Sequence, residues 1–231
     1  MHRVTAVIPT KDQEPGLLQR AIDSALAAKV AEVLVVVDRS QPFGDAPPRC
    51  RVLLSPGKGI SAALNEGIRK ASHKRIAFLD SDDAWLPGKD DQFRHPEPAT
   101  FTDYIRHGQI VSCDRPVENI HSDNIPCRST TVVDRWLLDL VGGFDETLDY
   151  AQDWKLHCQV QIVLGWIRIP RPLAQISDLP LGHTRTADPH ERCRQCARVR
   201  KEFRHPDKHP LASDRRKYLR GSSEDDELSK L

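Results

Sequence analysis

Continuous apolar runs, with little alternation, mark the first third of the chain. Val4-Thr5-Ala6-Val7-Ile8-Pro9-Thr10 is a β-branched run closed by proline, and Glu32-Val33-Leu34-Val35-Val36-Val37-Asp38 and Arg75-Ile76-Ala77-Phe78-Leu79 are two more such runs. Strands of this kind are covered on both faces, as in a parallel sheet with helices above and below. Between them the period changes. Leu17, Leu18, Ala21, Ile22, Ala25 and Leu26 recur at helical spacing, Arg51-Val52-Leu53-Leu54 predicts a short third strand, and Ile60 to Ile68 a second helix. Strand-helix units in this order predict an α/β fold with a mostly parallel central sheet flanked by helices.

Beyond Trp85 the pattern is less regular. The polar stretch Pro87 to Pro98 opens as a short helix, and Thr100 to Thr102, Gln109 to Ser112 and Thr130 to Val133 read as short strands. An amphipathic helix from Asp134 to Leu140 is stopped by Gly142-Gly143. A further helix begins at Tyr150, runs through Val160, Ile162 and Val163, and carries Asp153 in its first turn. An Asp there is ordinarily a capping or helix-dipole partner.

Chemistry gathers where the apolar runs end. Asp80-Ser81-Asp82-Asp83 packs three carboxylates into four positions. Carboxylates this close repel one another, so a site that keeps them ionised supplies a cation, and oxygen ligands favour Mg²⁺ or Mn²⁺. The same residues also suit an acidic turn whose side chains bond nearby amides. Asp38 ends the second run and is either a ligand contact or a turn cap. Gly57-Lys58-Gly59 is a basic turn that a phosphate can approach, and equally an ordinary strand-to-helix connection.

Length and charge set bounds. A chain of 231 residues holds one sizeable core with an appendage, and a net charge of +1 names no partner. No apolar run reaches the roughly 20 residues of a membrane span, and a strand follows Met1 almost at once, so a soluble, cytoplasmic protein is expected. Six cysteines at scattered positions are expected to be thiols.

Four blocks of the sequence, VTAVIPTKDQEPGLLQRAIDSAL, VLVVVDRS, GKGISAALNEGIRKASHKRIAFLDSDDAWLPGK and DLVGGFDETLDYAQDWKLHCQV, resemble the family 2 glycosyltransferases in order and spacing. The resemblance covers about residues 3–185 and implies a GT-A type nucleotide-sugar-binding fold. It assigns Pro9, Thr10 and Asp38 to base recognition, with Lys58, Asn65 and Asp80 among the donor-binding residues. Asp80 and Asp82 fall on the D-x-D positions, Asp82 for the metal. Gln152-Asp153-Trp154 resembles the motif whose Asp is the general base for the acceptor hydroxyl, and His183 resembles a late His near the metal or diphosphate. The implied reaction is a metal-dependent, inverting transfer from a nucleoside diphosphate sugar, a UDP-sugar, to a hydroxyl on a glycan or on a hydroxymethylated DNA base. Two positions depart from the family pattern, Asp12 in the first loop and Arg39 after Asp38, and both touch donor recognition.

The C-terminal part suggests a basic extension over 183–218 after a transferase domain over 1–182, then a disordered acidic tail over 219–231. Between His183 and Lys217 stand eleven Lys/Arg and five Asp/Glu, which suits either DNA phosphates or a solvated basic helix. Cys193-x-x-Cys196 ahead of His205-x-x-x-His209 has the order of a structural Zn²⁺ site at shorter spacing. Two other functions remain open at this level. One is a nucleotidyltransferase, though the strong basic Gly-rich loop it needs near the N-terminus is lacking. The other is a nucleic-acid-binding module on a degenerate transferase fold, against which Asp38, Asp80, Asp82 and Asp153 argue.

Overall fold

The computed structural model describes residues 2–11, 14–38, 49–114, 120–121, 125–177 and 188–214. In chain order these form β1 (His2–Thr10), α1 (Pro15–Ala27), β2 (Val30–Val37), β3 (Cys50–Leu54), α2 (Gly59–Lys70), β4 (Arg75–Phe78), β5 (Ala84–Trp85) and α3 (Lys89–Phe93). There follow β6 (Ala99–Arg106), β7 (Gln109–Val111), β8 (Val132–Asp134), α4 (Arg135–Val141), α5 (Gln152–Val163), β9 (Ile167–Gln175) and α6 (Pro189–Glu202). One sheet runs β3-β2-β1-β4-β8-β6-β9-β5, with β7 hairpinned onto β6.

The half built from the apolar runs is parallel, as their continuity predicts: β1 pairs with β2 and β4, and β2 with β3. Alternate residues feed two cores. Val7, Leu34, Val36 and Phe78 pack under α2, α4 and α5, whereas Ala6, Ile8, Val33 and Val35 pack against α1. The close seat of α2 requires Gly67, where an added Cβ would lie 2.3 Å from Val7 Cγ1. The other half is mixed. β8 is antiparallel to β4 and β6, β9 is parallel to β6, and β5 is antiparallel to β9. The sheet is thus all-parallel over β3-β2-β1-β4 and mixed beyond β4, where β8 enters from a loop and not from a crossover helix.

Helix α4 ends where Gly142 takes φ +83°, as the Gly-Gly pair predicts. Helix α6 packs Val199 and the adjoining Phe203 against Trp154, Cys158 and Ile162 of α5. Among the described residues no helix is long and apolar enough to cross a membrane. The six cysteines are free.

Candidate active site

The parallel strands end at a common edge. The backbone N–H of Asp38 donates to Thr10 O at 3.0 Å, joining the ends of β1 and β2. The Asp38 carboxylate accepts from the N–H of Gly59 at 3.3 Å, and the Lys11 ammonium stands 3.9 Å away. Thr10 and Pro9 are buried, while Lys58 is exposed beside Gly59 at the start of α2.

One strand over, β4 ends in the acidic turn. Carboxylate oxygens of Asp80, Asp82 and Asp83 lie within 4.8 Å of one another. Asp80 accepts from the guanidinium of Arg128 at 2.7 and 2.6 Å. Asp83 accepts from the Ser129 hydroxyl at 2.5 Å and from the Ser177 N–H at 2.7 Å, and the Ser129 hydroxyl also accepts the Asp80 N–H at 3.0 Å. Burial first, and then the charge of Asp80, raise the pKa of Asp82 and push that of Asp83 up to about 8. Burial and two acidic neighbours thus favour protonation of Asp83.

The loop that supplies Arg128 and Ser129 is anchored from inside. The Trp85 indole N–H donates to Ser129 O at 2.9 Å, and the Gln92 amide donates to Thr130 O at 2.9 Å. The fully buried Lys89 ammonium lies 3.4 Å from Thr130 O and 5.1 Å from the Trp85 ring centre, and burial lowers its pKa to about 7. Arg128 also feels the charge of Asp153. Burial alone would lower its pKa, but Asp80 and Asp153 more than offset that and keep it charged.

Asp153 sits in the first turn of α5, as its sequence position predicts, and its Oδ1 accepts from the Trp154 N–H at 2.7 Å. The residue before the helix, Ala151, holds φ 60° and ψ 15°, a left-handed conformation that costs an alanine about 1–2 kcal/mol. One turn on, His157 is 1 % exposed, and burial lowers its pKa to about 4, so it is neutral. Arg128 thus pairs with the acidic turn and feels the charge of the candidate base. Nothing local in Cys127-Arg128-Ser129 announces this, since the partners are some fifty residues away in the chain and meet only in the fold.

Other expectations resolve differently. Asn65 donates from its amide to Phe144 O and to Glu146 Oε1, both at 2.9 Å, and accepts from the Phe144 N–H at 2.9 Å. Both its donors are engaged in fastening the Gly143–Glu146 loop to α2. The Zn²⁺ site expected from Cys193, Cys196, His205 and His209 is not assembled: among the described residues only the three aspartates converge as metal ligands. Cys193 and His205 are exposed, and His209 stacks on Phe203 at 4.9 Å and faces Glu202 at 3.8 Å. The basic residues of α6 are largely engaged as well. Arg194 pairs with Glu191, Arg198 with Asp145 at 3.5 Å, and Arg200 lies over Trp154 at 5.4 Å. His183, Asp12, Arg39 and the acidic tail lie outside the described residues.

The sequence profile described as Glycosyl transferase family 2 matches residues 5–93, from β1 to the end of α3. The succinoglycan biosynthesis protein ExoW of Rhizobium meliloti is 34 % identical over 38 % of this chain and 31 % of its own length. The pre-mycofactocin glycosyltransferase of Mycobacterium tuberculosis is 30 % identical over 67 % of this chain and 39 % of its own. The chain thus spans well under half the length of these relatives. Among solved structures, TarS 1–349 of S. aureus in complex with UDP-GlcNAc shares the fold with a TM-score of 0.64 at 15 % identity, covering 98 % of this chain and 77 % of that one. Over residues 5–93, which include Asp38, Asp80 and Asp82, this chain is similar to the family 2 glycosyl transferases, and its fold is the one seen in TarS.

Proposed function

We propose that the protein transfers a sugar from a nucleoside diphosphate sugar, a UDP-sugar, to a hydroxyl acceptor by a single inverting displacement. One observation carries this reading: the buried cation Arg128, paired with Asp80 at 2.6 Å, also feels the charge of Asp153. A group suited to an alcohol thus lies within electrostatic reach of the cation that serves the groups suited to a diphosphate. That solved relatives are bound to UDP and UDP-GlcNAc supports the choice of donor.

The edge formed by Pro9, Thr10 and Asp38 would receive the base, and Lys58, exposed at the start of α2, would approach the phosphates. Asn65 acts at one remove, fixing the loop that precedes α5. The acidic turn fits a divalent metal ion, because its donors are all oxygen and converge within 4.8 Å. Asp82 would hold such an ion, with Asp80 as a second ligand shared with Arg128. Bound there, the ion would neutralise the diphosphate and assist its departure.

Asp153 takes the proton of the acceptor hydroxyl as the oxygen bonds to the anomeric carbon and the bond from that carbon to the diphosphate breaks. A positioned base of this kind contributes about 10²–10⁴-fold. The acceptor class we favour is a glycan hydroxyl over DNA, since Arg194, Arg198 and Arg200 of α6 already pair or stack within the protein. The test is release of nucleoside diphosphate from a panel of nucleotide sugars with Mn²⁺, with and without simple glycosides or hydroxymethylated DNA. Release stimulated by a glycoside and lost in Asp153→Asn is expected. Stimulation by hydroxymethylated DNA alone would move the acceptor to nucleic acid, and no release from any donor by folded protein would sink the transferase reading.

A further inference from the structure

The turn that delivers Asp153 has no cap of its own. The residue at the N-cap of α5 is Ala151, which offers no side-chain acceptor, and it is held in the left-handed region at φ 60°. A non-glycine residue keeps such a conformation only where its surroundings impose it. A contact from α6 reaches the residue just ahead of Ala151. Gln195 of α6, 8 % exposed, accepts the Tyr150 N–H at 2.8 Å, immediately ahead of Ala151 and three residues before Asp153. The orientation of that amide is itself fixed, because its nitrogen donates to Glu191 Oε1 at 2.7 Å one turn earlier in α6.

Further contacts hold α6 against the same segment. Lys155 pairs with Glu202 of α6 and with Asp145, both at 3.0 Å. Val199 and Phe203 close over Trp154 and Cys158, and Arg200 covers the Trp154 ring. Cys196, next to Gln195, lies near enough to Asp153 to feel its charge.

We propose that α6 is part of the catalytic apparatus and that Gln195 is a positioning residue, clamping the Tyr150–Ala151 turn so that Asp153 is presented to the acceptor hydroxyl. This rests on the reading of Asp153 as the base. It gives the extension beyond the family's matched segment a task in turnover, and it makes the base the property of two helices far apart in sequence.

The experiment compares Gln195→Met, which keeps volume and removes the acceptor, with Gln195→Glu made in a Glu191→Gln background, which keeps an oxygen for the Tyr150 N–H and turns the Glu191 contact round so that an amide donates to the new carboxylate, both in the full chain. Hydrogen–deuterium exchange reads the clamp without any substrate. Amides from Tyr150 to Trp154 should exchange at least about tenfold faster in Gln195→Met, stay near wild type in the double variant, and leave the β1-β2-β4 core unchanged. In transfer assays Gln195→Met should lower kcat about tenfold or more with donor KM within about twofold, and the double variant should restore most of it. Unchanged exchange at Tyr150–Trp154 in Gln195→Met would overturn the clamp. So would transfer that is lost in Asp153→Asn yet indifferent to Gln195→Met. Wild-type transfer indifferent to Asp153→Asn would instead overturn the base assignment, and with it the catalytic meaning of the clamp.

Discussion

The two edges of the parallel strands each bury carboxylates, and they treat them in opposite ways. At the N-terminal edge Glu32, 6 % exposed, accepts from the Thr5 hydroxyl and the Ser72 N–H at 2.8 Å, the Ser72 hydroxyl at 2.9 Å and Arg51 at 2.7 Å. Burial alone would raise its pKa, but these donors outweigh it and hold the group below its usual value. At the C-terminal edge Asp83, 3 % exposed, has two donors and two acidic neighbours, and burial drives its pKa up. Similar burial thus gives opposite shifts, and the balance of donors against like charges decides the sign. The chain completes Glu32 by itself. The acidic turn instead brings three carboxylates within 4.8 Å of one another, with Arg128 on Asp80 and Arg20 near Asp82, a donor set that could hold a metal ion.

The largest effect should come from the acidic edge. Asp82→Ala is expected to lower turnover by about 10³-fold or more while leaving the melting temperature equal or higher, read by nucleoside diphosphate release and thermal unfolding. Next, Arg128→Gln strips Asp80 of its partner. It should cost about 3 kcal/mol in denaturant unfolding, and added Mn²⁺ should recover more stability in this variant than in wild type. At the completed edge Glu32→Gln should cost about 2 kcal/mol and leave kcat per folded molecule unchanged. A kinetic defect there would break the comparison. The smallest effect is in pH dependence, followed by the melting temperature of metal-free protein. The folded pKa of Glu32 is depressed, so its contribution is present above the unfolded value of 4.5 and is lost as pH falls through the folded one. Asp83 has the opposite sign: its folded pKa is raised, so its contribution is complete below 3.8 and is lost as pH rises through about 8. Melting temperature should therefore fall on both sides of a maximum, and Glu32→Gln should flatten the acid side alone.

The parallel half was legible because burial on both faces writes itself as unbroken apolar runs, and the carboxylates ending those runs are the ones the fold brings to one edge. The mixed half was not. β9 contains Pro170 and Pro172 and the charged Arg168 and Arg171, which oppose a strand reading, and its pairing with β6 is irregular between Thr102 and Ile105. β5 is two residues long and exists only through its partner β9. Asp153 stood out through its motif, but Arg128, Ser129 and Gln195 act through contacts 45 to 49 residues away in the chain. Asn65, named among the donor-binding residues by resemblance, also fastens a loop that lies 79 residues on, which its own stretch of sequence does not announce. The Cys and His residues of the C-terminal part have the order of a metal site, but helix α6 leaves Cys193 exposed and His209 lies on Phe203.

The division of labour between the acidic turn and α5 is tested most directly by calorimetric titration of UDP, with Mn²⁺ present, into wild type, Asp82→Ala and Asp153→Asn. Wild type and Asp153→Asn should bind with equal affinity, and Asp82→Ala should bind at least about tenfold more weakly, a loss of about 1.4 kcal/mol or more. Equal binding by all three would contradict the account, because the acidic turn would then take no part in holding the diphosphate.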